Sequence, residues 1–314
     1  MISTQKDQTI PKLDISQLSP ERFVELYQKN NQPVVLTGLL GKDTNWNLDY
    51  LCQAIGEEEF FVRYYGQKRY QEEKQKWNSI GSGVAVTPML FNQYAEMLRT
   101  GEAKKEDVYL AKASLKNTPL NEVNSLQELG TKLNLKPLTE YRMYMGHGGH
   151  TASLHYDIVD GTLCQMYGKK RVILFPPTVT KQLYPFPIWT HLRHGLKLRA
   201  CYSRVDLMNP DYQQFPEFKE AQKYQETIIL EAGEVLFIPV GWWHEITTLE
   251  AEEMSCSVSR FWQVASTAKN YLSWQRWRLV LGNILALPNI MQGMIKQILS
   301  QPNGETIKKI LYKI

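Results

Sequence analysis

Between residues 58 and 262 the chain breaks into short runs of β-branched and aromatic residues, each closed by turn residues. They fall at 58 to 65, 107 to 115, 140 to 146, 151 to 157, 162 to 167, 170 to 176, 226 to 231, 234 to 239, 243 to 248 and 254 to 262. Runs of this length and composition read as strands, and residues 32 to 39 add a buried one. Strands at this density predict a mainly β chain built as a double-sheet jelly roll. Helices are expected only at the flanks. Ser19-Pro-Glu-Arg-Phe-Val-Glu-Leu-Tyr27 offers a cap, a first-turn proline and apolar spacing suited to a helix. Beyond about residue 264, Tyr271, Leu272, Trp274, Trp277, Leu281, Ile284 and Leu285 recur at helical spacing. After Pro288 a second helix would carry Ile290, Met291, Met294, Ile295, Ile298 and Leu299. These stripes either pack against the barrel or join two copies of the chain.

At 314 residues there is ample chain for one large β-rich core with a helical appendage, which is preferred to two independent domains. The expected divisions are a polar tail over 1–19, one domain over 20–262 and a helical extension over 263–314 that is a candidate dimer interface. Two stretches interrupt the strand pattern. Residues 66 to 83 are polar and read as a mobile loop or hairpin, and 178 to 225 form a long insertion rich in Pro, Tyr and charge. Loops that long in a compact domain are usually functional or disordered, and a substrate-covering role is the hypothesis carried for the second.

Composition bears on several classes, and the mild basic excess leaves RNA as a partner open. With 36 basic against 32 acidic residues the formal charge is only +4, which gives no electrostatic case for a dedicated nucleic-acid binder. Cys52, Cys164, Cys201 and Cys256 are widely spaced and form no paired motif, so free thiols in a reducing cytoplasm are expected. The start Met1-Ile-Ser-Thr-Gln-Lys-Asp-Gln lacks a signal-type apolar core, and no stretch reaches membrane-spanning length without charges.

The chemistry concentrates in two strings. One is Thr151-Ala-Ser-Leu-His155-Tyr-Asp157; the other is Gly233-Glu-Val-Leu-Phe-Ile-Pro239-Val-Gly241-Trp-Trp-His244. On a strand, side chains two apart share a face, so His155 and Asp157 can grip one ion. Pro239-Val-Gly241 is a turn signal that lets His244 open a neighbouring strand. Two imidazoles and one carboxylate form the ligand set of a non-haem Fe(II) site that leaves other positions open for chemistry. An oxygen-using enzyme is therefore the leading expectation.

These strings, with Gly168-Lys-Lys-Arg-Val-Ile-Leu-Phe-Pro-Pro177, Arg204-Val-Asp-Leu-Met-Asn-Pro-Asp-Tyr212 and Phe215-Pro-Glu-Phe218, resemble the JmjC-type, cupin-fold Fe(II)- and 2-oxoglutarate-dependent oxygenases, most closely their asparaginyl-hydroxylase branch. The resemblance implies a double-stranded β-helix, Fe(II) held by His155, Asp157 and His244, and O2 and 2-oxoglutarate as cosubstrates. It implies that Lys170 anchors the remote carboxylate of 2-oxoglutarate, Lys169 facing the other way by alternation, and that Tyr109 donates to the same carboxylate. The family hydroxyl three residues before the metal histidine falls on Ala152, flanked by Thr151 and Ser153, either of which could restore the contact by a local shift. Ser259 stands nearest the usual strand asparagine, Arg260 is an unmatched cation that could bind the C1 carboxylate, form a structural salt bridge or contact substrate, and Gly161 replaces another asparagine. His147 and His150 read as loop histidines, His191 and His194 as surface or substrate-contacting residues, and Trp242 and Trp243 as core aromatics. The implied activity is hydroxylation of a protein or peptide side chain, with 2-oxoglutarate decarboxylated to succinate. A modified tRNA base or small metabolite as substrate, N-demethylation, and a non-catalytic metal-binding cupin remain open alternatives.

Overall fold

The structure is a computed structural model that describes residues 10–70, 74, 84–196, 199–251, 253–267, 270 and 272–300, without the side chains of 70, 293, 294 and 296–300. Tyr271, the side chains of Met294, Ile298 and Leu299, residues 1–9 and most of the expected loop at 66 to 83 lie outside the described residues.

The described strands are β1 (Lys12–Asp14), β2 (Val34–Thr37), β3 (Glu59–Tyr64), β4 (Ala85–Leu90), β5 (Val108–Ser114), β6 (Arg142–His147), β7 (Thr151–Tyr156), β8 (Asp160–Tyr167), β9 (Lys170–Phe175), β10 (Glu226–Leu230), β11 (Val235–Ile238), β12 (Trp243–Thr248) and β13 (Met254–Trp262). Nine of them form one sheet in the order β1-β2-β11-β8-β13-β6-β5-β3-β4, and four form a second in the order β10-β9-β12-β7. Every pairing is antiparallel except β1 with β2. This is the mainly β jelly roll that the strand pattern predicts.

Alternation sorts the side chains into three layers. Between the sheets, Leu163, Leu236 and Ile238 of the large sheet meet Val172, Leu174 and Leu230 of the small one. Behind the large sheet lies the main core, where Phe23, Trp46, Leu51, Tyr94, Leu126 and Trp262 are buried. On the outer face of the small sheet, Ile173, Phe175 and Trp243 pack with Val179, Leu183, Val205, Phe215 and Phe218 of the 178 to 225 insertion. That insertion is therefore an ordered layer with its own apolar contacts, and it bonds to the free edge of β7 through Ser203 N to Leu154 O at 2.9 Å and Tyr156 N to Cys201 O at 3.2 Å.

The structure departs from expectation at the flanks. The polar tail is not all tail, because Lys12–Asp14 pairs in parallel with Val35 to Thr37 and Lys12 forms an ion pair with Glu234. Three residues are too few to show periodicity. β4 was absent from the strand pattern because it contains Pro88, which an edge strand tolerates and a central strand does not. The first helix is capped by Ser19 as expected, then widens to π geometry over Val24–Gln28. The two C-terminal helices are one, Trp274–Ser300, running through Pro288. Contacts with the insertion hold it on both sides of the proline, Arg278 Nε to Ala200 O at 3.2 Å and Asn289 Nδ2 to Leu192 O. Among the described residues no helix is long and apolar enough to cross a membrane.

Trp262 is fully buried and donates its indole N–H to Thr162 Oγ1 at 2.9 Å. Trp262→Ala should lower unfolding free energy by about 3–5 kcal/mol, the usual cost of removing a large core aromatic, read from urea unfolding curves.

Candidate active site

β7 and β12 are neighbours, and their register sets His244 directly opposite His155. Asp157 follows at the end of β7, where Gly241 N bonds its carbonyl at 2.8 Å. The ligand atoms of His155, Asp157 and His244 lie within 4.8 Å of one another, with His244 Nε2 3.6 Å from Asp157 Oδ2. Each imidazole is anchored through its other nitrogen. His155 Nδ1 is 2.8 Å from Ser153 O and His244 Nδ1 is 3.1 Å from Trp242 O. Nδ1–H donating to a carbonyl leaves the Nε2 lone pair for a metal, the orientation that ligand histidines require. Burial, then the neighbouring His244, pulls the His155 pKa down to about 4, so the ring is neutral and able to ligate at ordinary pH. Donor types, tautomers and clustering all fit a divalent transition metal such as Fe(II).

The three side chains line a cavity of about 270 Å³ between the sheets. From β12, His244, Ile246 and Thr248 alternate into it, and Thr248 is paired with Lys170 of β9. Lys170 is 1% exposed, on the same inward face as Val172 and Leu174. Its Nζ donates to Tyr109 Oη at 3.3 Å and to Ser257 Oγ, and lies 3.5 Å from Tyr144 O. No carboxylate of the described residues pairs with it, and burial pulls its pKa down to about 8. Ser257 passes its own hydrogen to Gln165 Oε1 at 3.0 Å. Among the described residues Thr248 Oγ1 is buried without a hydrogen-bond partner. A buried cation ringed by neutral hydroxyls, beside an unsatisfied hydroxyl, has the chemistry to accept a ligand carboxylate.

The Tyr109 ring is fixed from both sides. It stacks on His150 at 3.6 Å between centroids, with the planes 6° apart, and Gly146 leaves it room, since a Cβ there would fall 2.2 Å from Tyr109 Cδ2. His150 Nδ1 and His147 Nε2 lie 2.8 and 3.0 Å from Asp107 Oδ1, while Arg69 Nε makes an ion-pair contact of 2.8 Å with Asp107 Oδ2. Burial alone would raise the Asp107 pKa, but the two histidine hydrogen bonds and the Arg69 charge hold it well below the carboxylate range. Asp107, His147 and His150 could themselves gather round a metal ion. Arg69 already neutralises that carboxylate, which makes the cluster a scaffold for Tyr109. The insertion covers the other side, with Tyr202 stacked on His155 at 4.9 Å.

The structure brings His155, Asp157, His244, Lys170, Tyr109 and Ser259 to this one cavity. Thr151, Ser153 and Arg260 are not among its lining residues. β7 carries an extra residue against β12 between the pairs His244 with His155 and Ile246 with Ala152, so Ala152 keeps the inward position. Thr151 Oγ1 instead meets Thr247 Oγ1 at 3.1 Å, and Ser153 contributes its carbonyl to His155. Arg260 faces the other way, donating to Thr139 O at 2.8 Å and lying over the Tyr141 ring at 4.4 Å. His191 is fully buried and accepts from Ala200 N at 3.0 Å, which corrects its surface reading; it packs against Gly282 of the C-terminal helix. His147 and His150 are buried too. The reading from residues missed Thr248, Ser257, Tyr144 and Tyr202. Alternation from His244 would have found Thr248; the others depend on which strands become neighbours.

A two-sheet β roll that gathers two inward strand histidines and an aspartate just past the end of β7 has the architecture of a cupin-type domain with a candidate metal site. The chain belongs to the cupin-like domain family, whose profile matches residues 20–268. It is 29% identical over 211 residues to lysine-specific demethylase JMJ31 of Arabidopsis thaliana, covering 65% of this chain and 35% of that protein. It is 30% identical over 261 residues to lysine-specific demethylase JMJ30 of the same plant, covering 79% and 53%. It is 27% identical over 273 residues to tRNA wybutosine-synthesizing protein 5 of Gallus gallus, covering 81% and 77%. The chain thus spans about a third to a half of these demethylases and three-quarters of the wybutosine protein. The narrower likeness to the asparaginyl-hydroxylase branch rests on the sequence strings alone.

His244→Ala should weaken Fe(II) binding by more than the ~10- to 100-fold that loss of an outer partner costs. Anaerobic titration of metal-free protein checks this, with circular dichroism showing the fold retained.

Proposed function

We propose that the protein is an Fe(II)- and 2-oxoglutarate-dependent oxygenase that hydroxylates a protein or peptide side chain. One observation carries this reading: a single cavity has the His155, Asp157, His244 set at one end and the buried, hydroxyl-ringed Lys170 at the other. His244 and Thr248, the partner of Lys170, are separated by about 13 Å of strand, which side chains from both ends shorten to the reach of a small dicarboxylate. When bound, Fe(II) and 2-oxoglutarate would use O2, one oxygen atom going into a substrate C–H bond and the other into succinate, with release of carbon dioxide. The protein's own residues bind, orient and exclude water. Lys170, Tyr109 and Thr248 would take the remote carboxylate, and Tyr202 with the insertion would screen the metal from solvent.

The relatives named lysine-specific demethylases favour a protein side chain, and hydroxylation of an N-methyl group would be the same first step. A second reading, oxidation of a tRNA base, is favoured by the larger share of the wybutosine protein that the chain spans. Mass analysis of peptides and of extracted tRNA after incubation separates the two. The four free cysteines suit a reducing cytoplasm.

We also read the C-terminal helix as a homodimer contact, because Trp274, Trp277, Leu281, Ile284, Leu287 and Met291 are all exposed along it. Ile284→Glu should convert a dimer to a monomer in light scattering; a wild-type monomer would refute the contact.

Adding Fe(II) and 2-oxoglutarate without oxygen should give the visible charge-transfer band of a chelated keto acid. Lys170→Met should weaken 2-oxoglutarate by at least about tenfold while leaving thermal stability equal or higher, since a buried charge is replaced by an apolar chain. Thr248→Val should cost about 3- to 10-fold. Because the Lys170 pKa lies near 8, below that of an exposed lysine, wild-type affinity should fall as pH rises through about 8. Iron binding with no band would leave a metal-binding cupin without the cosubstrate.

A further inference from the structure

One buried carboxylate of the small sheet takes no part in lining the cavity. We propose that Glu245 is a positioning residue for the candidate metal ligand His155, acting through the single peptide group that joins Ser153 to Leu154. This rests on the metal site of the oxygenase reading above and adds a residue to it.

The first observation is the bulge. Between the pairs His244 with His155 and Ile246 with Ala152, β12 contributes only Glu245, whereas β7 contributes both Ser153 and Leu154. An extra residue of this kind disrupts the ladder locally. By alternation Glu245 faces away from the cavity, on the side of Trp243 and the outer layer, and it is 2% exposed. Its Oε2 accepts from Leu154 N at 3.2 Å, so the side chain takes up a backbone donor of the bulge. A carboxylate out of water is costly unless it is paired and hydrogen-bonded. Lys74 Nζ lies 3.7 Å from the same oxygen and donates to Val205 O at 2.8 Å, which answers the charge and ties it to the insertion.

The second observation is what lies at the other end of that peptide. A peptide unit is planar and trans, so the Leu154 N–H and the Ser153 C=O belong to one rigid group and point in opposite directions. Ser153 O is 2.8 Å from His155 Nδ1. One plane therefore carries Glu245 at its outer end and His155 at its inner end. Holding the N–H sets the direction of the carbonyl, and the carbonyl sets the imidazole with Nε2 toward Asp157 and His244. A negative charge on the N–H also polarises the peptide and strengthens the carbonyl as an acceptor, and a stronger acceptor makes the ring a better metal donor.

The test uses the full-length, metal-free protein and Co(II), whose visible band reports the geometry of its ligands. Glu245→Met, of similar length but with no acceptor oxygen, should bind Co(II) about 10- to 100-fold more weakly, the usual cost of losing an outer partner of a ligand histidine, and should shift the band. Glu245→Gln keeps an oxygen for Leu154 N and should keep the wild-type band and most of the affinity. A merely structural role would lower the thermal midpoint and leave the band and the affinity of the folded protein as they are. Wild-type band and affinity in Glu245→Met overturn the proposal, and so does a Glu245→Gln protein that loses as much as Glu245→Met. If Glu245→Met does not fold, Glu245→Asp decides, because it keeps the charge beside Lys74 but is a methylene too short for Leu154 N. Weaker Co(II) binding with a shifted band then supports the role, and an unchanged band and affinity overturn it. A wild-type protein that binds no Co(II) overturns the metal site and this role together. Variants that behave as expected, in a protein that gives no charge-transfer band with Fe(II) and 2-oxoglutarate, support the role and defeat the oxygenase reading alone.

Discussion

Everything at the candidate site depends on the register of β12 between β7 and β9. That pairing puts His244 opposite His155 on one side, and on the other puts Thr248 opposite Lys170. A slip of one residue would turn all of β12 over, exposing His244, Ile246 and Thr248 to the outer layer and driving Trp243 inward. The outer layer guards against this. Trp243 is fully buried against Tyr156, at 4.7 Å between rings, and donates to Thr180 Oγ1 at 3.0 Å. The insertion therefore does two things at once: it covers the His155 end of the cavity with Tyr202, and it supplies the apolar face that holds the small sheet in phase.

The second constraint is polar. A lysine, an aspartate and three histidines are taken out of water within or beside one cavity, and each needs partners there. Asp107 is answered by His147, His150 and Arg69, and the chain of contacts continues through the stacked Tyr109 to Lys170. Lys170 is answered only by neutral groups, and Thr248 Oγ1 by none. The network is closed where it supports the site and incomplete where a ligand carboxylate would lie, the pattern expected of a preorganised receptor.

Irregularity in the strands is where this chain takes its particular character. On β7 the extra residue keeps Ala152 facing inward and withdraws Thr151 and Ser153. The inward hydroxyl of the small sheet at this cavity is therefore Thr248 of β12, with Ala152 on β7. On β5 a similar break keeps a lysine out of the core and delivers it to the cavity. Both bulges lie beside the site, where a local change of phase alters what the cavity offers without disturbing the sheets around it.

Much of this was legible from residues alone. The spacing His155-x-Asp157 and the turn before His244 are local properties of extended chain, and so are most of the strands. β1 was too short to read, β4 was hidden by Pro88, and Pro288 suggested a break that contacts to the insertion prevent. Thr151, Ser153 and Arg260 were misplaced because strict alternation does not reveal a bulge or say which neighbour a face will meet. The sequence by itself thus determined the class of fold and set His155 and Asp157 on one strand face, because side-chain direction along one strand follows from a two-residue period, while Lys170 was singled out by the resemblance that Gly168-Lys-Lys170 carries. Only the tertiary structure decided that Thr248, Ser257 and Tyr109 surround that lysine and that Arg63, Lys112 and Arg199 share a cavity with the histidines. Those meetings join residues far apart in the chain, and they are fixed by sheet register and packing rather than by local conformation.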